Sequence, residues 1–346
     1  LAQPSDDLVD TDAIRYQRTT INGREPTAAD QATLNGAWER LDHVVAPLVD
    51  GPDMSLADAL AGMADDPWVP LLKLWEGAII AGADAGTLSL KDWHRNRLAG
   101  ANLVPRAGVG TFVARTLKTD ATLSCPATRV TWGGSGVAVD TPRGTIRAAA
   151  AIITVSTGVL AAGNIRFDPP LQIALQEAVH RLPMGLLSKI ALPTRSRLGL
   201  DQTTGLADRD GSMTFSTWPL GRDYIAGFIG GRLAWEVAAD PVAFEAQARA
   251  ELTRMLGASA VAAIAPAALI SDWGTNPAFL GGYAYAAPGD ADQRHVLADA
   301  FPAERLIFAG EATRTDGLAG TIGGAYLSGI EAADRLLSMD FLQARQ

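Results

Sequence analysis

A carboxylate near the C-terminal end stands between two runs of small residues. Phe308-Ala309-Gly310-Glu311-Ala312-Thr313 is followed by Gly320-Thr321-Ile322-Gly323-Gly324-Ala325-Tyr326-Leu327-Ser328-Gly329. The first run reads as a buried strand ending in a tight turn that carries Glu311. The second reads as a helix from about 321 to 337 whose first turn has almost no side chains. Bare N–H groups at a helix N-terminus attract negative charge and allow a ligand to approach the backbone closely. Gly324 and Ser328 lie four residues apart, so one face of that helix is small and can lie against a flat ligand or a sheet. A second candidate is Lys189, in Leu187-Ser188-Lys189-Ile190. It shares a strand face with Leu187 and Ala191, and an ammonium in apolar surroundings is costly unless it has a partner or a role. Taken alone, each has a plainer reading: Glu311 as a helix-cap carboxylate, Lys189 as an edge lysine with its head in water, Tyr283 as a core tyrosine.

The elements that must position these groups follow from pattern. Thr27 before Ala28-Ala29-Asp30 is an N-cap with an acid in the first turn, and Leu34, Trp38, Leu41, Val44 and Val45 recur at helical spacing. Residues 16–21 form a strand that enters a tight turn at Asn22-Gly23. Residues 56–63 and 67–80 are two further helices. Residues 129–132 and 136–141 form a hairpin through Gly133-Gly134-Ser135, 144–147 continue the meander, and 148–155 read as one strand buried on both faces. Leu171, Leu175, Val179 and Leu182 make a helix face. Residues 186–192 and 224–229 are strands, 244–255 a helix and 305–309 a strand.

Composition removes several classes. The 346 residues carry a net charge of −9, with no Lys/Arg cluster, which argues against nucleic acid or an anionic membrane as partner. One cysteine, Cys125, and four histidines without ligand spacing imply no metal site. The apolar run 148–162 is too short and interrupted to span a membrane, and residues 1–4 have no secretory character. The expectation is a soluble protein, cytoplasmic rather than exported.

Four separated blocks, in order, give the chain a resemblance to the flavin-containing amine oxidases, in particular their polyamine oxidase and lysine-specific histone demethylase branch. They are Asn102-Leu103-Val104-Pro105-Arg106-Ala107-Gly108-Val109-Gly110; Val130 through Ala151-Ile152-Ile153-Thr154-Val155-Ser156-Thr157-Gly158 to Phe167-Asp168-Pro169-Pro170-Leu171; Trp273-Gly274-Thr275-Asn276-Pro277 with Gly281-Gly282-Tyr283-Ala284-Tyr285; and the C-terminal block. The resemblance implies an α/β (α+β) fold of two domains. A Rossmann-like FAD-binding domain, incomplete in this chain, is interleaved with a substrate domain of sheet plus helices. Residues 1–104 and 158–288 belong to the substrate domain, and 105–157 and 289–346 to the FAD-binding domain.

The resemblance also implies roles. Glu311 matches the glutamate that binds the flavin's sugar-alcohol chain. Thr321 and Ile322 match the residues whose backbone meets the pyrimidine edge of the ring, and Ala127 the position whose backbone pairs with adenine. Lys189 matches the lysine that holds a water near flavin N5, and Tyr283 one wall of an aromatic cage for the amine. Gly310, Gly320 and Trp273 complete the cofactor-binding set, Trp273 as a structural wall. The implied activity is oxidation of an amine C–N bond to an imine with non-covalent FAD, because no cysteine lies in the C-terminal block. An amino-acid oxidase of the same fold, with Arg106, Arg166 or Arg222 on a substrate carboxylate, and a flavin-free scaffold subunit are the alternatives. Two departures stand out. Gly320 occupies a place where polyamine oxidases commonly supply a second aromatic wall. The G-x-G-x-x-G turn that receives the FAD pyrophosphate is not found, so a second, shorter chain carrying that βαβ unit is the expected partner, beside a small-molecule amine.

Overall fold

The computed structural model describes residues 8–11, 17–97, 101–116, 121–197, 200–266, 268–301 and 305–339. Its centre is a six-stranded sheet in the order Leu269–Ile270, Leu187–Pro193, Tyr224–Gly230, Met213–Thr217, Thr203–Asp208, Gln17–Thr20. Neighbours are antiparallel except the last pair. Strand alternation decides the two faces. Ile190, Leu192, Phe215, Ile225 and Ile229 bury one face against Phe244, Ala248 and Leu252 of helix Pro241–Leu256. That helix starts where Asp240 accepts the N–H groups of Val242 and Ala243, with Pro241 in the first turn, and it stops at Gly257 with φ +83°.

On the opposite face Leu187 and Phe228 pack against a helical cluster that includes Leu41, Leu56, Trp68, Leu71 and Leu72. Helix Ala28–Val45 opens with the expected Thr27 cap, in reciprocal exchange with Asp30. The turn before it has positive φ at Asn22 and Gly23, and Asp208 of the sheet accepts the N–H of Gly23 at 2.9 Å and the hydroxyl of Thr20 at 2.7 Å. Tyr16, the expected start of that strand, lies outside the described residues.

The segment expected as one helix over 67–80 divides. Val69–Lys73 is α-helical, and Leu74–Ala81 widens into a π-helix that ends at Gly82 with φ +62°. The widening accompanies backbone-to-backbone packing. A Cβ at Gly77 would lie 2.8 Å from the nitrogen of Ala85, and one at Gly230 would lie 1.6 Å from the carbonyl oxygen of Ala78. Gly230→Ala must therefore push the π-helix off the sheet. The expected cost is at or above the ~1–3 kcal/mol of ordinary overpacking, read as a lower denaturation midpoint; an unchanged midpoint would contradict this packing.

A second sheet has the order Gly144–Ala148, Val137–Thr141, Arg129–Thr131, Arg166–Asp168 and contains the expected hairpin. The apolar run 148–155 is not one strand. Ala148 ends the meander, the chain bends, and Ala151–Ile153 is extended in a separate sheet. Ala151–Ile153 pairs in parallel with Leu306–Phe308, and among the described residues these two strands make up the whole sheet. Leu306–Phe308 is buried and Ala151–Ile153 half-buried, and among the described residues the other edge of Ala151–Ile153 pairs with no strand. No helix of the described residues is long and apolar enough to cross a membrane.

Candidate functional site

Strand Leu306–Phe308 ends at Ala309, and the chain turns at Gly310, whose φ of +136° is open only to glycine. The N–H of Gly310 donates to Oγ of Ser328 at 2.8 Å, and that hydroxyl lies 2.9 Å from Oγ1 of Thr313. The small face of helix Ile322–Leu337 thus lies against this turn at Ser328, and one turn further on Ala332 packs against Ile307 of the parallel strand pair. At Gly324 the fit is closest, since a Cβ would lie 2.1 Å from the carbonyl oxygen of Leu318. Thr321 caps the helix: its hydroxyl accepts the N–H of Gly324 at 2.8 Å and donates to the carbonyl of Leu318 at 2.7 Å. Among the described residues, the first-turn N–H groups of Ile322 and Gly323 take no protein acceptor, as a helix start leaves them.

Glu311 is held from two segments. The N–H of Ala284 donates to Oε1 at 2.8 Å and that of Gly320 to Oε2 at 2.9 Å. Each oxygen keeps a lone pair for a further donor. Burial pushes this carboxyl up from the ordinary range, and the nearby Arg294 guanidinium and the two N–H groups pull the other way.

Glu311, Gly310 and Trp273 share the lining of a cavity of about 360 Å³. It lies between the ends of the parallel strand pair and residues 278–282, with Ser156 and Thr157 at its wall. Trp273 and Phe279 meet edge to face at 4.9 Å, and both are about two-fifths exposed. The set fits one part of a dinucleotide: a carboxylate with free lone pairs, hydroxyls, and a glycine where backbone must come close. The cavity is small for a whole dinucleotide.

Tyr283 pairs with Gly185 in a two-stranded antiparallel contact, and its hydroxyl lies 3.4 Å from the carbonyl of Ile79 in the π-helix. Burial pushes the phenol above its ordinary range. Gly320, with φ +73°, is its immediate neighbour; a Cβ there would touch the Tyr283 ring at 3.9 Å. Tyr283 and Gly320 therefore form one corner. They are not opposed walls, because the hydrogen bonds of Glu311 draw residues 284 and 320 together.

Lys189 pairs with Phe228 across the sheet and exchanges two hydrogen bonds with Ser271: its N–H to the Ser271 hydroxyl and its carbonyl to the Ser271 N–H, both 2.9 Å. Ser271 lies two residues before Trp273, which ties the lysine strand to the cavity segment. Lys189 does not line the cavity. The side chain is exposed, yet desolvation lowers its ammonium below the ordinary lysine range. Exposure within surrounding protein describes a group on a concave wall, which is where we place it. Ala127, half-buried in the segment leading into Arg129–Thr131, stands outside the cavity lining.

Two residues at the site had no local signal. Asp92 and Arg294 form a buried ion pair that spans 202 positions of sequence. Ser89 and Asp92 show only the spacing of a helix cap, which Ser89 indeed makes.

Comparison with known proteins agrees with the geometry. A family model described as flavin containing amine oxidoreductase matches residues 55–337. Polyamine oxidase 4 of Oryza sativa subsp. japonica is 33% identical over 268 residues, covering 73% of this chain and 53% of that protein. Lysine-specific histone demethylase 1 homolog 1 of the same plant is 31% identical over 225 residues, covering 60% and 26%. The chain thus spans about half or less of the length of these relatives. In fold it is similar to a double mutant of putrescine oxidase, with a TM-score of 0.73 at 18% identity over 94% of this chain and 82% of that one. With a family model that matches from Ser55 through the C-terminal helix, the chain belongs to the flavin-containing amine oxidoreductase family.

Proposed function

We propose that this chain forms most of an FAD-dependent enzyme that oxidises the C–N bond of a small amine to an imine. The observation that carries the reading is Glu311. It is a half-buried carboxylate at a cavity wall, held by two backbone N–H groups, with free lone pairs beside a glycine-rich helix start. Glu311 would take hydroxyls of the flavin's sugar-alcohol chain, and Ile322 and Gly323 would offer N–H groups to an electron-rich ring edge. When bound, the flavin supplies the redox chemistry by accepting a hydride equivalent from the carbon beside nitrogen. Tyr283 would present its ring to the amine, and Lys189 would hold a water and handle a proton at the concave wall. The imine then hydrolyses in water. For the amino-acid oxidase alternative, Arg106, Arg166 and Arg222 stand outside the cavity lining as Lys189 and Tyr283 do, and Arg222 donates to the Arg106 carbonyl.

The test of cofactor chemistry is release. Cys125, the one cysteine, precedes strand Arg129–Thr131 and is absent from the cavity lining. Acid precipitation should free all flavin into the supernatant, and a pellet that stays yellow would refute non-covalent binding.

Substrate shape follows from the corner at Tyr283. Gly320 leaves the flank of that ring without a covering side chain, so aryl-alkyl amines should be turned over alongside diamines. A steady-state survey that found strict preference for small aliphatic diamines would mean that another residue closes the cage. A further polypeptide segment, which supplies the strand–turn–helix for the FAD pyrophosphate, belongs to the same reading. The edge of Ala151–Ile153, unpaired among the described residues, supports it.

A further inference from the structure

Arg294 is buried where three segments around Glu311 meet. It forks onto Asp92 of helix Leu90–Arg95, Nε to Oδ1 at 2.8 Å and Nη2 to Oδ2 at 3.0 Å, and both side chains are 4% exposed. Its remaining reach goes to backbone: Nη2 donates to the carbonyl of Ala284 at 2.9 Å and Nη1 to that of Ala312 at 3.3 Å. These are the residues that bracket the carboxylate. Ala284 donates its own N–H to Glu311, and Ala312 follows Glu311 in the chain. Asp92 is itself fixed, by the N–H of Ala286 at 2.9 Å and the amide of Asn96 at 3.0 Å.

We propose that Arg294, gripped by Asp92, is a positioning residue that sets the orientation and charge of Glu311. The inference deepens the flavin reading, on which its consequence for cofactor affinity rests. The charged and titratable groups that face Glu311 are Arg294, Asp92 and Tyr283, with the N–H groups of Ala284 and Gly320. Of these, Arg294 opposes the burial of the carboxylate most strongly. Without it, only the two N–H groups oppose burial, and the balance moves further toward the protonated acid. One oxygen would then become a donor, and the site would lose acceptor capacity toward ligand hydroxyls.

The experiment must separate this role from simple stability. Removing one member of a buried pair leaves an uncompensated charge, whereas replacing both by apolar residues is often tolerated. The informative variant is therefore Asp92→Leu/Arg294→Met in the full-length protein, compared with wild type, Arg294→Lys and Glu311→Gln. Three quantities are read: thermal midpoint, flavin dissociation constant, and the infrared stretch of a protonated carboxyl at neutral pH. The double variant should keep a near-wild-type midpoint, yet bind flavin about ten-fold or more weakly, the scale of one lost charge-assisted contact. It should also show a protonated-carboxyl band that vanishes when Glu311→Gln is added. Arg294→Lys, which keeps the charge and loses the fork, should show no band and an intermediate affinity. A double variant with wild-type affinity and no new band would overturn the proposal. Should it not fold, Arg294→Lys decides, and wild-type affinity there would overturn the proposal. If wild type bound no flavin even with the pyrophosphate-binding segment present, the flavin reading would fail, and the carboxyl band would still decide the charge of Glu311.

Discussion

Lys189→Met should slow reduction or reoxidation of the flavin by roughly ten-fold or more, since a positioned proton-handling group is typically worth at least that. The geometry behind this is a lysine on a rigid central strand, opposite Phe228 and bound through its backbone to Ser271. Desolvation lowers the ammonium, so a smaller shift in conditions than usual suffices to move its proton. The wild-type half-reaction should therefore show an alkaline limb that begins below the ordinary lysine range, and the methionine variant should lack it. Methionine matches the length of the lysine stem on an exposed site, so the fold should survive with little change in thermal midpoint. Stopped-flow absorbance of both half-reactions checks the rates. Equal rates and an unchanged pH profile in the variant would reduce Lys189 to a structural residue.

The second large effect concerns assembly. These 346 residues, expressed as such, should be poorly soluble and colourless. Co-expression with a short polypeptide that provides a strand, a glycine turn and a helix should restore solubility and flavin absorbance together. The physical reason lies in the parallel pair Ala151–Ile153 and Leu306–Phe308. Parallel strands are normally covered on both faces within a larger sheet, and an unpaired apolar edge invites aggregation. The 360 Å³ cavity at the ends of this pair holds only part of a dinucleotide. The remaining wall would come with the added unit, through an interface as large and apolar as a divided domain core. A soluble, fully flavin-loaded preparation that contains these residues and no other polypeptide would refute this.

Local order was legible from residues close together in the chain. The Thr27 cap, the turn at Asn22-Gly23, helix Ile322–Leu337 behind its Thr321 cap, and strand Leu187–Pro193 all follow from capping chemistry, glycine conformation and apolar spacing. These are short-range properties, decided within a turn or two of backbone. The turn at Glu311 was legible for the same reason, as a carboxylate after a buried strand and between glycines, but its link to a flavin came from the family resemblance, since alone it reads equally as a helix cap. Packing overrode local pattern in two places. The helix over 67–80 widened where bare backbone at Gly77 and Gly230 meets its neighbours. The apolar run 148–155 broke because hydrophobicity alone does not say where a strand must bend toward a partner.

Only the tertiary structure decided which distant groups share one carboxylate. Asp92 reads as a first-turn acid and Arg294 as an ordinary member of the short helix Gln293–Asp299. Their pairing across 202 positions, and the contact that sets Gly320 against Tyr283, leave no periodic trace in either segment. An ion pair of this kind is held by the geometry of three packed elements. The local spacing of either segment does not encode that geometry, because the packed core between them in the chain sets it.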